Sequence, residues 1–328
     1  MTTVAVAGGT GGVGKTLVEA LEQQSKFGVI VLSRRKKSKE NSATGTSGLY
    51  VQIDYNDVPR LTRQLEHHNI HTIISAIGLT SEETSNSQLN LIEAAERSKV
   101  TERFIPSEYS FIQTVECTNR RIRPNSLLPV DPSIQFWLDA ANKLKNSSLQ
   151  YTRVIPGFFM DYWGMPHVKT NLQPYRFGID ISSRTAAIPG DGNDVICMTY
   201  TYDMAQYMIK ALGLDEWPEF SIVVGDQITY NQILAIVEKI LGEKFQVTYD
   251  SVDQIAAGNV TNPPMPSDLG YSQEEITDAT ALVSRLTVNG VFQLPKENRL
   301  DVLFPDVQPL TMRKLLEDSW GGAKFHLK

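Results

Sequence analysis

Cysteine is nearly absent: Cys117 and Cys197 are the only two in 328 residues, which excludes a disulfide framework, and no CxxC pair suggests a metal knuckle or a redox couple. Nor is there a run of about 18 apolar residues, so no segment reads as a membrane span. Positive charge is in deficit, with 31 Lys and Arg against 37 Asp and Glu and a formal net charge of -6. Nucleic acid and anionic membrane surfaces are therefore not expected partners. Residues 1–3 place no basic stretch ahead of an apolar one, as a secretory leader would. The expectation is a cytoplasmic protein, a monomer or homodimer, that acts on a small molecule.

A chain that is 41% hydrophobic and 21% charged has the balance of a globular protein rather than a disordered or fibrous one. Its length suits two domains, or one large α/β domain with an elaborated end. Short apolar runs recur: VAVAG (Val4 to Gly8), GVIVLS (Gly28 to Ser33), LYVQID (Leu49 to Asp54), HTIISAIG (His71 to Gly78), RFIPS ended by Pro106, and YTRVIPG from Tyr151. Near-continuous Val and Ile mark strands buried on both faces. Between them lie helical spacings: Val13, Leu17 and Leu21, then Leu89, Ile92 and Ala95, then SIQFWLDAANKLKN over residues 133–146. This alternation predicts an α/β fold, a Rossmann doubly wound parallel sheet over residues 1–156, with its ligand crevice at the carboxyl ends of the strands.

Beyond residue 157 the texture changes. FFMDYWGMPH is aromatic and broken by Gly and Pro, and TNLQPYRFGIDISS has no clean period. Residues 157–328 read as a smaller α+β substrate-binding domain, some segments of which return to the Rossmann sheet. Thr229 with Gln232, Ser251 with Gln254, and Ser272 with Glu275 fit capping boxes that start helices, and Gly242 should end ILAIVEKILG.

The stretch AGGTGGVGKT (Ala7 to Thr16) fits two phosphate-binding patterns. As GxxxxGK[ST], Gly9 to Thr16 is a P-loop for a nucleoside triphosphate, with Thr16 and Asp54 available to hold Mg²⁺. As GxGxxG, Gly9, Gly11 and Gly14 form a dinucleotide fingerprint. The end of the second strand favours the dinucleotide. It reads Ser33, Arg34, Arg35, with no acid to bind a ribose 2'-hydroxyl, and a guanidinium suits a 2'-phosphate. NADP(H) is thus the expected cofactor, with Arg34 ahead of Arg35, Lys36 and Lys37; the alternative for these four is a solvated basic run. ISAIG (Ile74 to Gly78) ends the fourth strand in small residues that let a cofactor lie against backbone. Lys15 then merely begins the helix and points to solvent.

AGGTGGVG, VLSRR, VQIDYND, FIPSEY, TRVIPGFFMDYWGMPH, AAIPGDGND and TYDMAQYMIKAL, in that order, resemble the NmrA-like and isoflavone reductase-like families of atypical short-chain dehydrogenases/reductases, fungal members above all. The resemblance implies a Rossmann domain, a smaller substrate domain and NADPH. Its reductases act on small aromatic, phenylpropanoid-like or polyketide-like compounds of secondary metabolism; its regulators bind the nucleotide without turnover. It puts Gly8, Thr10, Gly11, Gly12, Val13 and Gly14 at the diphosphate, Arg34 at the 2'-phosphate, and Asp54 and Tyr55 by the adenine. Ser75, Ala76 and Ile77 would follow the ribose. Pro106, Ser107 and Glu108 match the family's PSE, and Pro156, Gly157 and Phe158 fall where members face the nicotinamide. One departure stands out: the family's catalytic Lys, counted back from Tyr151, corresponds to Trp137, and an indole donates no proton at neutral pH. Lys143 and Lys145 lie more than a helical turn further on.

Other proton donors near the crevice are Tyr109, Tyr162, His167 and Lys169; for the tyrosines and His167 ordinary packing is the competing reading. Trp137, Phe158, Phe159, Tyr162, Trp163 and His167 supply aromatic surface for a flat substrate, or for packing between domains. His67, His68 and His71 straddle a helix end with no thiolate or carboxylate to complete a set, so no metal is expected. Three functions follow: an NADPH-dependent oxidoreductase on a small aromatic or polyketide-like metabolite, a nucleotide-binding regulator without turnover, and a non-redox isomerase or dehydratase.

Overall fold

A computed structural model describes residues 1–35, 48–112, 133–265 and 270–322. Lys36, Lys37, Cys117 and the end of the NPPMPS stretch lie outside the described residues. Strand β1 (Thr2–Ala7) leads through the glycine loop into α1 (Gly12–Glu22), followed by β2 (Phe27–Ser33), β3 (Leu49–Gln52), α2 (Val58–His67), β4 (Ile70–Ser75), α3 (Glu82–Arg97), β5 (Arg103–Ile105), α4 (Ser133–Lys145) and β6 (Gln150–Tyr151). The six strands are all parallel and ordered β3-β2-β1-β4-β5-β6. The order reverses between β1 and β4, and such a reversal opens a crevice at the strands' carboxyl ends.

Alternation along β1 explains why both faces are covered. Val4 and Val6 join Leu17, Val18 and Leu21 of α1 in one apolar cluster. Ala5 and Ala7 join Leu61 of α2, Leu91 of α3 and Leu144 of α4 in another. Helix starts are written locally: Asp57 accepts the Arg60 N–H at 3.0 Å, and Ser81 and Thr84 exchange hydrogen bonds in a capping box.

The remaining elements are β7 (Arg153–Ile155), β8 (Phe158–Phe159), α5 (Asp161–Gly164), β9 (Ile179–Asp180), β10 (Thr185–Pro189), β11 (Ile196–Thr199), α6 (Thr201–Ala211), β12 (Phe220–Ile222), β13 (Asp226–Ile228), α7 (Tyr230–Leu241), β14 (Gln246–Asp250), α8 (Val252–Ala256), α9 (Gln273–Val288), α10 (Leu300–Leu303) and α11 (Met312–Trp320). Their core gathers Phe158, Trp163, Ile188, Ile233, Val237 and Leu316. The capping boxes at Thr229, Ser251 and Ser272 are formed, and Gly242 ends α7 in the left-handed conformation at φ 69°.

The sixth strand departs from expectation because it is divided. Tyr151 pairs with β5, whereas Arg153–Ile155 pairs in parallel with β12. The Thr152 hydroxyl bonds that of Ser221 at 2.7 Å and the Arg153 N–H meets the Glu219 carbonyl at 2.7 Å, which draws the chain to its new neighbour. Helix α6 also packs on the sheet, its Met204 and Met208 joining the cluster of Val6 and Leu17. Segments past residue 157 thus complete the face that carries α1.

Candidate cofactor and substrate site

The glycine loop holds β1, α1 and β4 at backbone contact. Gly8 turns the chain at φ 74°, and a Cβ there would lie 2.5 Å from the Ala76 carbonyl oxygen; one on Gly14 would lie 2.2 Å from that of Gly8. Gly11 caps α1 without a side chain to bond the first-turn N–H groups. These donors and the positive end of the helix dipole are left for an anion, which fits a dinucleotide diphosphate.

The triphosphate reading fails on geometry. Thr16 is fully buried, its hydroxyl donating to the Gly12 carbonyl and accepting from Asn171 Nδ2, both at 3.1 Å. Asp54 follows the edge strand β3, two strands from β1, and its carboxylate accepts the Asn56 N–H at 2.9 Å. The two would-be magnesium ligands are not brought together. Lys15 lies 4.0 Å from Glu19 on the same helix.

A groove of about 350 Å³ runs over the carboxyl ends of β1, β2 and β4, bordered by Gly8, Thr10, Gly11, Arg34, Arg35 and Tyr55. At its mouth Arg34 pairs with Glu83 at 3.0 Å. Burial raises the Tyr55 phenol well above its ordinary range, with Arg34 pulling the other way. Past Gly11, Ala76, Ile77 and Gly78 the groove continues into a compartment of about 410 Å³ walled by Val13, Ser107, Tyr109, Trp137, Phe159 and Leu172. Ser107 is pinned by its N–H to Gln88 Oε1 at 2.8 Å, and the Tyr109 hydroxyl donates to the Ser75 carbonyl at 2.8 Å. Burial raises the Tyr109 phenol, and the Ser75 hydroxyl is enclosed without a partner.

Of the residues singled out in the sequence, several stand elsewhere. Phe158 and Phe159 are neighbours on β8, so their side chains take opposite faces. Phe159 borders the compartment, whereas Phe158 packs into the second core against Trp163, Phe177 and Phe292. Pro156 and Gly157 are committed to backbone contacts, with the Pro156 carbonyl bonded by Thr199 at 2.7 Å and the Gly157 N–H bonded to Ser110 at 3.0 Å. Pro106 is buried. Glu108 borders the compartment, but its carboxylate grips Arg153 through both oxygens at 2.5 Å. Burial pushes that carboxyl up to about 6 while Arg153 pulls it back.

His167 is exposed and stands edge-on to Trp320, ring centroids 4.8 Å apart; burial lowers its imidazole. It lies off the compartment. Tyr162, its phenol raised by burial, borders a second cavity of about 490 Å³ with Trp163, Val168, Tyr175, Ile179 and Trp320. Leu172 is common to that cavity and the compartment. Lys143 pairs with Glu93 at 3.2 Å, away from the compartment that Trp137 faces. His67 ends α2 while His71 sits on β4, bonded to Thr72 at 2.8 Å. Among the described residues no group of three or more His, Cys, Asp and Glu is placed to hold a metal ion, and no helix is long and apolar enough to cross a membrane.

The sequence reading missed Glu83, Thr84 and Ser87 on α3, which border the groove by Arg34, and Leu172 and Gln173, which wall the compartment. The aperiodic stretch around Leu172 carried no local signal.

An open helix terminus, guanidinium groups at the end of the second strand and an adjoining aromatic-walled compartment are the features of a Rossmann dinucleotide-binding protein. The chain belongs to the NmrA-like family, whose family model matches residues 1–282. It is 31% identical over 340 residues to oxidoreductase swnN of Metarhizium robertsii, covering 98% of each chain. It is 39% identical over 245 residues to oxidoreductase BOA1 of Botryotinia fuckeliana, covering 75% of this chain and 78% of that one. In fold it is similar to AtPrR2 with NADP+ and (+)pinoresinol, at TM-score 0.71 and 20% identity over 96% of this chain and 98% of that one.

Proposed function

We propose that the protein is an NADPH-dependent oxidoreductase acting on a small aromatic or polyketide-like metabolite. The observation that carries this reading is one continuous groove, from Arg34 past the glycine loop and Ala76 to the compartment of Tyr109, Trp137 and Phe159. Two relatives named oxidoreductases, and a fold neighbour solved with NADP+ and (+)pinoresinol, support it. Residues 1–156 serve as the cofactor domain and residues 157–328 as the substrate domain, apart from segments such as α6 that return to the Rossmann sheet.

Arg34 and Arg35 would hold the 2'-phosphate, and Gly8 to Gly14 would hold the diphosphate. Tyr55 flanks the adenine, and Ser75, Ala76 and Ile77 leave space for the ribose. Bound NADPH supplies a hydride to the substrate. Trp137 and Phe159 offer flat apolar faces that exclude water and orient an aromatic ring. Tyr109 stays protonated, and its hydroxyl has to turn from the Ser75 carbonyl before it can offer its proton to a substrate.

Fluorescence titration tests this first: no NADPH binding by the intact protein overturns it. Loss of the nicotinamide absorbance with an aromatic carbonyl or olefin substrate completes the test.

A second reading, a nucleotide-binding regulator without turnover, rests on one observation: no Lys or His borders the compartment among the described residues, where Trp137, the residue that the family resemblance sets against the catalytic Lys, lines the wall. Tight NADPH binding with no oxidation across a substrate panel would favour it.

A further inference from the structure

Between α5 and β9 the chain runs as a strap, residues 165–178, over the first turns of α1. Asn171 Nδ2 donates to Thr16 Oγ1 and to the Tyr202 hydroxyl, each at 3.1 Å, which uses both of its hydrogens. Tyr202 donates onward to Glu19 Oε2 at 2.6 Å. Lys169 Nζ lies 3.5 Å from the same oxygen and 4.3 Å above the Tyr202 ring. The strap meets the glycine loop directly: a Cβ on Gly12 would come within 3.0 Å of the Asn171 carbonyl oxygen and 3.2 Å of Leu172 Cα.

From the other side, the Leu172 N–H bonds Thr170 Oγ1 at 3.2 Å, and that hydroxyl donates to the buried Asp161 at 2.7 Å. Leu172 is therefore fixed both to the cofactor helix and to the second core. It is also the residue shared by the compartment of about 410 Å³ and the second cavity of about 490 Å³.

We propose that Asn171 and Thr16 form a latch that holds Leu172 as the partition between the nicotinamide compartment and the second cavity, which makes Leu172 a positioning residue that sets how far a substrate seated in that cavity extends over the cofactor. The partition rests on the NADPH reading above; the latch itself does not. The threonine of the GKT stretch thus acquires a use that involves no phosphate.

Two measurements on the full chain test the proposal. Amide hydrogen exchange across residues 169–173, without cofactor, reads the latch. Thr16→Val keeps the shape and removes the acceptor, so it and Asn171→Ala should each speed exchange about fivefold or more, while Thr16→Ser stays within about twofold of the parent. Emission of bound NADPH reads the partition. Leu172→Ala and Thr16→Val should move it toward that of free cofactor, and Thr16→Ser should restore it. Unchanged exchange in Thr16→Val and Asn171→Ala overturns the latch. Faster exchange with unaltered emission in Leu172→Ala overturns the partition. A parent protein that binds no NADPH overturns the proposed function and the partition with it, while the exchange measurement still decides the latch. Should Thr16→Val not fold, Asn171→Ala carries the same comparison from the partly exposed side.

Discussion

Arg34 Nη1 and Glu83 Oε1 stand 3.0 Å apart across the mouth of the groove, with the two side chains 60% and 76% exposed. An exposed pair of this kind stabilises little, so a phosphate that arrives there displaces Glu83 from the guanidinium at small cost. Arg34→Ala should weaken NADPH binding by roughly 10- to 100-fold and NADH binding by less than about twofold. Glu83→Gln should act in the opposite direction, tightening NADPH by a few-fold. Fluorescence titration with both cofactors checks this, and equal losses for NADPH and NADH in Arg34→Ala would remove Arg34 from the 2'-phosphate.

Two glycines three residues apart should fail in different ways. A Cβ on Gly14 would sit 2.2 Å from the Gly8 carbonyl oxygen, backbone that cannot yield without separating α1 from β1. Gly14→Ala is expected to lose roughly 2–4 kcal/mol of stability in denaturant melts. On Gly11 the nearest atom would be 3.5 Å away, an ordinary contact, and its φ of -84° suits alanine. Gly11→Ala should therefore keep its melting temperature and lose cofactor affinity, because the added methyl group occupies the diphosphate's line of approach. A Gly11→Ala variant that bound NADPH normally would place the diphosphate elsewhere.

Asp203 gives the fold a pH dependence of definite sign. Its carboxylate accepts the Leu310 N–H at 2.6 Å, and burial pushes the carboxyl up to about 6, with the charge of Asp161 adding in the same direction. In the folded state the group holds a proton that the unfolded chain has already released. The stability it contributes is fully present below the unfolded pKa of about 4 and is lost as pH rises through about 6, on the order of 2–3 kcal/mol in all. Asp203→Asn keeps an acceptor for Leu310 and cannot titrate. Its melting temperature should fall less than that of the parent between about pH 4.5 and 6.5. Glu108, raised by burial, shares the window, so the slope is reduced rather than abolished. Parallel slopes for variant and parent would remove Asp203 from the account.

What was legible in the sequence was local in origin. The glycine loop, Arg34 at the end of β2 and the capping boxes depend on neighbours within a few residues, and their spacing survives in the letters. What was illegible depends on partners remote in the chain. The sixth strand divides because Thr152 meets Ser221, 69 residues away. Phe158 and Phe159 exchange roles because a two-residue strand has too little alternation to set its phase. His167 leaves the site because Trp320, on the final described helix, offers it an aromatic edge. Leu172 was invisible because its importance comes from Thr16 and Asp161 on either side of the strap, not from any period of its own.

Trp137 borders the compartment beside Tyr109 and Phe159 and stands edge-on to Phe111, ring centroids 6.0 Å apart. An indole there supplies a stacking face and no titratable proton, so the pH dependence of any reduction should come from other groups. Trp137→Lys places an ammonium among apolar walls, where burial lowers its pKa toward neutrality. If proton delivery limits the reaction, kcat should rise and acquire a limb that falls as pH climbs through the new lysine's pKa, while KM for an aromatic substrate rises with the lost stacking surface. Trp137→Phe separates the two effects: it keeps a ring, should raise KM only about two- to fivefold, and should leave the pH profile of kcat unchanged. A Trp137→Lys enzyme with the parent kcat and no new limb would mean that protonation in this chain is not limited at position 137, and that the stacking face is what the tryptophan contributes.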